Sequence, residues 1–302
     1  IQVMESGNLT RAAAALGLPR STVSTELQAL EDRLKTQLLR RTTRKVVPTP
    51  DGHAFLHSAR DIVDAVASAE TMFTAAQPRL AGRLRVDMPV RIGRKLVIPA
   101  LPEFLAAHPD LTLELGTSDR RTDLIAEGVD CVLRLGELES SELISRRIGH
   151  VAFVTCASPA YLARHGIPET LDDLAPHLLV NYATQLPTGR GALEFSMNGT
   201  LHEVALATPV TVNNTESYIA CALAGLGIVQ LPAFDVRDRL AKGTLVEILP
   251  KAPPPPVPLS FLFARRRNLA PRIRLFQDWL AGLLIREGVL IPRDEKPGGE
   301  IS

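Results

Sequence analysis

Cysteine is scarce in this 302-residue chain, with only Cys131, Cys156 and Cys221. No CxxC spacing links them, so neither a disulfide framework nor a cysteine zinc site is expected. Each lies in an apolar run (VDCVLRL, VAFVTCA, YIACALA) and reads as a buried thiol, as suits a reducing cytoplasm. Aromatic residues make up 4% of the chain, so composition suggests no ring-stacking pocket. No apolar run reaches the roughly 20 residues a spanning helix needs. Residues 219 to 234 come nearest, but Gly225, Gly227, Gln230 and Pro232 interrupt them. No membrane partner is expected, and no secretory signal is visible. The seven histidines show no metal spacing. GxSxG, HExxH and GxxxxGK are missing, and Gly225-Leu226-Gly227 reads as a helix-to-strand turn, not a phosphate loop. No enzyme, no cofactor and no metal site is therefore expected.

What is present is unevenly arranged. The length suggests about two domains, and 45% hydrophobic residues allow a sizeable core. The net charge is +1, yet residues 1 to 60 hold nine Lys/Arg against five Asp/Glu, a balance of +4. The remaining residues hold 25 against 28, a balance of −3. A basic head on a mildly acidic body suits a polyanion-binding module joined to something else.

The most informative stretch is Leu18 to Leu34, LPRSTVSTELQALEDRL. Val23, Leu27, Leu30 and Leu34 repeat at steps of four, three and four, one stripe of a helix. The opposite face carries Ser21, Thr25, Gln28 and Asp32, mostly short or neutral hydrogen-bonding groups that suit base edges and phosphates. Upstream, NLTRAAAALG reads as a short helix capped by Asn8 and stopped by Gly17. Its alanines permit close approach of a second helix, and only Gly17, Leu18 and Pro19 separate the two. That is a helix-turn-helix. Downstream, Arg33 to Lys45 holds six basic residues and no acid, then Val46, Val47 and Pro48, a pattern for a basic hairpin wing.

From Asn8 to Gly52 the chain resembles the winged helix-turn-helix of LysR-type transcriptional regulators, through NLTRAAAALG, VSTELQALEDRL, LLRRTTR and VVPTPDG. The likeness continues in family order through PALPEFLAAHPDLTLEL, DLIAEGVDCVLRLG, SPAYLARHGIPETLDDL and AGLGIVQLPAF. It implies a DNA-binding regulator governed by a small effector, and a first helix that starts before Ile1. The DNA contacts expected are Thr10, Arg11, Arg20, Ser21, Thr22, Ser24, Thr25 and Gln28, with Arg41, Thr42, Arg44 and Lys45 on the wing. Two departures stand out. Pro19 occupies the position where the family usually has a capping Ser, so the cap is lost or passes to Ser21. Pro48 and Pro50 stiffen the exit from the wing.

Thr49-Pro50-Asp51 starts a long helix to about residue 76. Phe55, Ala59, Ile62, Val66, Ala69 and Phe73 form a heptad seam along it, expected to pair two chains. Beyond it, residues 83 to 88, 111 to 115 and 129 to 135 read as strands, with helices over 92 to 108 and 119 to 127 between them. That is the pattern of a parallel sheet with crossover helices. A second such unit starts with a strand over 147 to 155, Asn198-Gly199 marks a hairpin, and residues 259 to 264 return to the first unit.

The fold expected is α plus α/β: an N-terminal winged helix-turn-helix (1–49, its first helix truncated), a linker and dimerisation helix (50–77), and a periplasmic-binding-protein-like effector domain (83–287). Its two subdomains would span about 83–148 with 258–287, and about 149–257, leaving a loose tail over 288–302. Ligands in such folds sit beyond the carboxyl ends of strands, near helix N-termini. That selects Pro89, Val90, Arg91, Ser118, Arg134, Gly136, Asn213, Asn214, Thr215 and Pro232 as effector contacts, with Ser118, Asn213 and Thr215 reading equally well as helix caps or turn hydrogen bonds. Arg91 and Arg134 would pair either an anionic effector or a neighbouring carboxylate. The partners expected are double-stranded DNA carrying an interrupted inverted repeat at a promoter, a small-molecule effector, and further copies of the chain as homodimer or homotetramer. A periplasmic-type solute-binding protein is the alternative reading, since the second domain would look alike.

Overall fold

A computed structural model describes residues 1–41, 46–74, 82–120, 124, 127–136, 143–183, 191–264 and 271–291. The chain divides into two compact units, one formed by residues 1–82 with 123–128, the other by 83–122 with 129–302.

The first unit opens with three helices, α1 (Gln2–Ser6), α2 (Leu9–Leu16) and α3 (Arg20–Leu34). Asn8 starts α2, its side chain accepting from the amides of Thr10 at 2.7 Å and Arg11 at 3.3 Å. Gly17 ends it at φ 64°, left-handed backbone that glycine adopts without a Cβ penalty. Two strands follow, β1 (Leu39–Arg41) and β2 (Val46–Pro48), paired antiparallel, and then α4 (Pro50–Thr74). Val3, Leu9, Ala12, Ala13, Val23, Leu38 and Leu39 form the core, with Leu27, Leu30 and Phe55 packed against it. Ala12 and Ala13 are what let α2 and α3 approach closely. The helix α4 is seated on the wing: Thr49 Oγ1 accepts from the Gly52 amide at 3.0 Å and donates to the Gln37 carbonyl at 2.7 Å.

The second unit contains two layered subdomains. The first has a six-stranded sheet in the order β15-β6-β14-β5-β3-β4, from β3 (Gly82–Met88), β4 (Leu111–Thr117), β5 (Cys131–Leu135), β6 (Leu143–Val151), β14 (Val257–Ala264) and β15 (Leu290–Ile291). Strands β3 and β5 run parallel, but β14 is antiparallel to both β5 and β6. The sheet is mixed, not purely parallel, because its central strand β14 arrives from the other subdomain. Against it pack α10 (Pro271–Arg286), through Ile273, Phe276, Leu280 and Leu284, and α6 (Ile98–Ala107), through Phe104. A short α5 (Val90–Ile92) joins α6 through a π-helical turn over Gly93–Val97. The helix therefore starts before Ile92, and its π-helical turn ends two residues ahead of Pro99.

The second subdomain holds β7 (Phe153–Ala157), α7 (Pro159–His165), β8 (Leu178–Tyr182), the hairpin β9 (Ala192–Met197) and β10 (Thr200–Ala205), then β11 (Ala207–Val212), α8 (Thr215–Leu223), β12 (Val229–Pro232), α9 (Ala233–Ala241) and β13 (Val246–Glu247). Asn198 and Gly199 make the hairpin turn at φ 50° and 76°, as the Asn-Gly pair predicts. Strand β7 lies between β12 and β13, and β8 pairs in parallel with β11. Tyr161, Leu179, Phe195 and Ile228 anchor one core cluster, and Val180, Tyr218, Ile219 and Leu231 anchor another.

Several expectations are corrected here. The strand expected over 147 to 155 is two strands parted at Ala152: β6 belongs to the first sheet and β7 to the second. The first subdomain thus extends to Val151, three residues past the expected boundary, because β6 pairs with β14 along its length. The tail does not loosen at 288. Leu290 and Ile291 pair with Val151 and His150, and Leu290 is buried in the core. The helix expected over 119 to 127 is not found among the described residues of that stretch, which are bends and turns. Its first residue, Asp119, accepts hydrogen bonds from Val90 and Thr215 instead of starting a helix.

Candidate functional site

Two sites emerge, one in each unit. In the first, α3 presents Arg20, Ser21, Thr22, Thr25, Gln28 and Asp32 to solvent, while Val23 is buried and Leu27 and Leu30 pack inward. Ser24 is half-buried. Thr10 and Arg11, in the first turn of α2, are exposed on the same small unit. Pro19 supplies no side-chain cap, and α3 nevertheless begins at Arg20, so Ser21 lies inside the helix and its hydroxyl is not used as a cap. An unused hydroxyl at the exposed start of a helix is available to a polar partner.

The wing is tied to α3 by a carboxylate. Glu31 Oε1 accepts from the amides of Leu38 at 2.7 Å and Leu39 at 3.0 Å. This fixes where β1 leaves the helix. A groove between them is lined by Gln28, Asp32, Lys35, Gln37 and Arg40. Thr42, Arg44, Lys45 and the side chain of Arg41 lie outside the described residues. A polar helix face beside a basic hairpin can engage duplex DNA, with side chains on base edges and cations on phosphates.

The second site is a cleft of about 260 Å³ at the junction of the two subdomains. It lies at the carboxyl ends of strands, as doubly wound folds place their ligands. From the first subdomain it is lined by Pro89, Ser118, Asp119, Arg134 and Leu135, and from the two crossings by Phe153 and Val257. From the second come Tyr182, Thr215, Tyr218, Gln230, Leu231 and Pro232. Of the ten effector contacts expected, Pro89, Ser118, Arg134, Thr215 and Pro232 are brought together here. The other five are engaged otherwise. Val90 offers only its amide, to Asp119 at 3.1 Å. Asn214 caps α8 by accepting from the Ser217 amide at 2.8 Å, and Asn213 accepts from Asn214. The Gly136 amide donates to the Pro258 carbonyl at 2.9 Å.

Arg91 turns away from the cleft. It is buried, with its Nε 2.8 Å from Asp235 and its Nη1 2.9 Å from Glu216. Arg94 and Lys95 add to this cluster, which ties α5 and its π turn to α8 and α9. Arg134 does line the cleft, but its Nη2 lies 2.6 Å from the buried Asp87, and it also donates to the carbonyls of Leu133 and Arg120. Both arginines took the neighbouring-carboxylate alternative.

Sequence reasoning missed the aromatic wall. Of the chain's thirteen aromatic residues (nine Phe, three Tyr, one Trp), Phe153, Tyr182 and Tyr218 line this one cleft. Composition is an average over the chain and carries no information on clustering. Burial pushes the Tyr182 phenol up to about 12 and raises Tyr218 further, so both are neutral hydroxyls at physiological pH. The Tyr218 hydroxyl accepts from the Gln230 amide at 3.1 Å. Gln230 is itself fully engaged with Thr155 and Glu194. Burial likewise pushes the Cys131 and Cys156 thiols up to about 12.

Family models match almost the whole chain. Residues 1–53 match the bacterial regulatory helix-turn-helix protein, lysR family, and residues 77–284 match the LysR substrate binding domain. This chain belongs to the LysR family. Among similar proteins, the uncharacterized HTH-type transcriptional regulator YhjC of Escherichia coli K12 is 39% identical over 94% of this chain and 95% of its own length. An HTH-type transcriptional repressor of Pseudomonas aeruginosa UCBPP-PA14 is 30% identical over 94% and 89%. The solved structure of CrgA, a LysR-type transcriptional regulator from Neisseria meningitidis, superposes with a TM-score of 0.60 at 31% identity, covering 94% of this chain and 96% of that one. As a LysR-type regulator, the chain binds DNA through its helix-turn-helix and responds to an effector through its substrate-binding domain. Among the described residues, no helix is long and apolar enough to cross a membrane.

Proposed function

We propose that this LysR-type regulator acts in the cytoplasm as a homodimer or homotetramer on an interrupted inverted repeat at a promoter. In this reading Ser21, Thr22, Thr25 and Gln28 meet base edges. Thr10, Arg11 and Arg20 meet phosphates, as do Arg41, Thr42, Arg44 and Lys45 of the wing. Ser24, half-buried, orients the helix more than it reads bases. The observation that carries the reading is the split of α3 into an inward apolar stripe and an exposed polar face beside the wing. Phe153, Tyr182, Ser118 and Thr215 contact the effector in the cleft, and effector binding alters how the two subdomains close. The chain's named relatives are regulators, and we assign it no reaction. The solute-binding alternative accounts for the second unit alone and leaves the helix-turn-helix without a role.

The test is a comparison of operator and random DNA. Thr25→Ala and Gln28→Ala each lower operator affinity by about 1–3 kcal/mol per lost base contact and barely change random-sequence binding. Arg11→Ala weakens both alike and flattens the salt dependence. Equal losses on both DNAs from the first two variants remove base reading from α3. For the cleft, Phe153→Ala abolishes the effector response of a promoter reporter while basal operator binding is retained.

A further inference from the structure

Among its described lining residues the cleft holds one carboxylate, Asp119, and its bonding is specific. Oδ1 accepts from the Val90 amide at 3.1 Å, at the start of α5. Oδ2 accepts from the Thr215 amide at 2.9 Å and from Thr215 Oγ1 at 3.1 Å, at the start of α8. The amides of a helix's first turn have no partner within the helix and carry the positive end of its dipole. Those two helices belong to opposite subdomains, so one side chain of the protein itself occupies the place between them. Among the described lining residues the single cationic side chain, Arg134, is matched by Asp87 at 2.6 Å. Apart from its polar edge the lining is apolar and aromatic, through Leu135, Phe153, Tyr182 and Leu231.

These facts decide which charge the cleft accepts. An acid entering it meets a carboxylate already bound to the best donors, and among the described lining residues no unmatched cation offsets the repulsion. A carboxylate has about four acceptor positions, and Asp119 uses three of them. We propose that Asp119 is a built-in anion that fills the place between these two helix starts, so that the effector is a compact, non-anionic ring molecule that donates a hydrogen bond to it. The proposal rests on the reading of the cleft as the effector site. It extends that reading to ligand class.

The experiment uses the full chain, as wild type, Asp119→Ala and Asp119→Asn, with formate and benzoate as probes. Removing the side chain vacates the position between the two helix starts. Asp119→Ala is expected to lower the thermal midpoint, and formate to restore it in that variant but not raise it in the wild type. Formate that stabilises both proteins equally, or neither, overturns the proposal. Benzoate is expected to bind Asp119→Ala about tenfold tighter than wild type, since a close like charge is gone. Asp119→Asn keeps the shape and loses the charge, so benzoate gains there too even if the alanine variant folds poorly. No gain in a folded variant overturns the proposal as well. The readings fail separately: loss of the cleft as effector site appears as an unchanged reporter response in Phe153→Ala, with the formate rescue intact.

Discussion

Asp235 is 1% exposed and Arg91 is 5% exposed, and they face each other at 2.8 Å. Removing one partner of such a pair leaves a buried charge uncompensated, which costs about 3–5 kcal/mol. Asp235→Ala is therefore expected to lower the urea midpoint strongly with little change in slope. Glu216 holds the outer side of Arg91 and behaves differently. Its hydrogen bond to Arg91 keeps its carboxyl below the ordinary 4.5. A depressed carboxylate contributes stability above 4.5 that is lost as pH falls through its folded value. The stability gap between wild type and Glu216→Gln should thus be full at neutral pH and close below 4.5, as read from unfolding at a series of pH values. The thiols give a third residue-scale outcome. Cys131 and Cys156 are buried with thiols held near 12, whereas Cys221 is partly exposed. Iodoacetamide on the folded chain should label Cys221 first, checked by peptide mapping. The fate of Arg91 and Arg134 was not legible in the sequence, because their carboxylates, Asp235 and Asp87, lie 144 and 47 residues away.

At the scale of elements, local chemistry marked most boundaries. Ser158-Pro159 starts α7, with the Ser158 hydroxyl accepting from the Tyr161 amide at 3.3 Å. Asn8, Thr49 and Asn198-Gly199 mark their helix starts and hairpin for the same kind of reason, since each satisfies or permits a backbone geometry within a few residues. Asp119 starts no helix, because its carboxylate is claimed by amides of two distant helices. Strand β11 was missed because ATPVTV alternates too weakly to signal a partner. Element packing also yields a prediction. A Cβ at Gly52 would fall on the Leu38 carbonyl oxygen, a backbone atom held by the wing. Gly52→Ala is expected to push α4 off β1. It should lower the stability of the first unit by more than the gain of about 1 kcal/mol that alanine brings to an exposed helix, as seen in thermal unfolding.

For the whole molecule, the exposed face of α4 is the decisive surface. Ile62 is 63% exposed, Val63 55% and Val66 53%, three apolar side chains close together on a long helix. Such a patch is the usual mark of an interface. Ile62 and Val66 belong to the heptad seam read from the sequence, and the side chains of Ala69 and Phe73 lie outside the described residues. Ile62→Glu combined with Val66→Glu is expected to shift sedimentation toward single chains. It should also weaken operator binding far more than random-DNA binding, since two half-sites need two heads. Unchanged sedimentation would remove α4 from the assembly.

The sequence by itself determined the helix-turn-helix, its basic wing, the long linker helix and the two-layered α/β body, because capping, periodicity and charge act over a few residues. Only the tertiary structure decided which polar groups remain for a ligand. Strand ends far apart in the chain converge on one cleft, and there a buried carboxylate or arginine takes the nearest opposite partner whatever its place in the sequence.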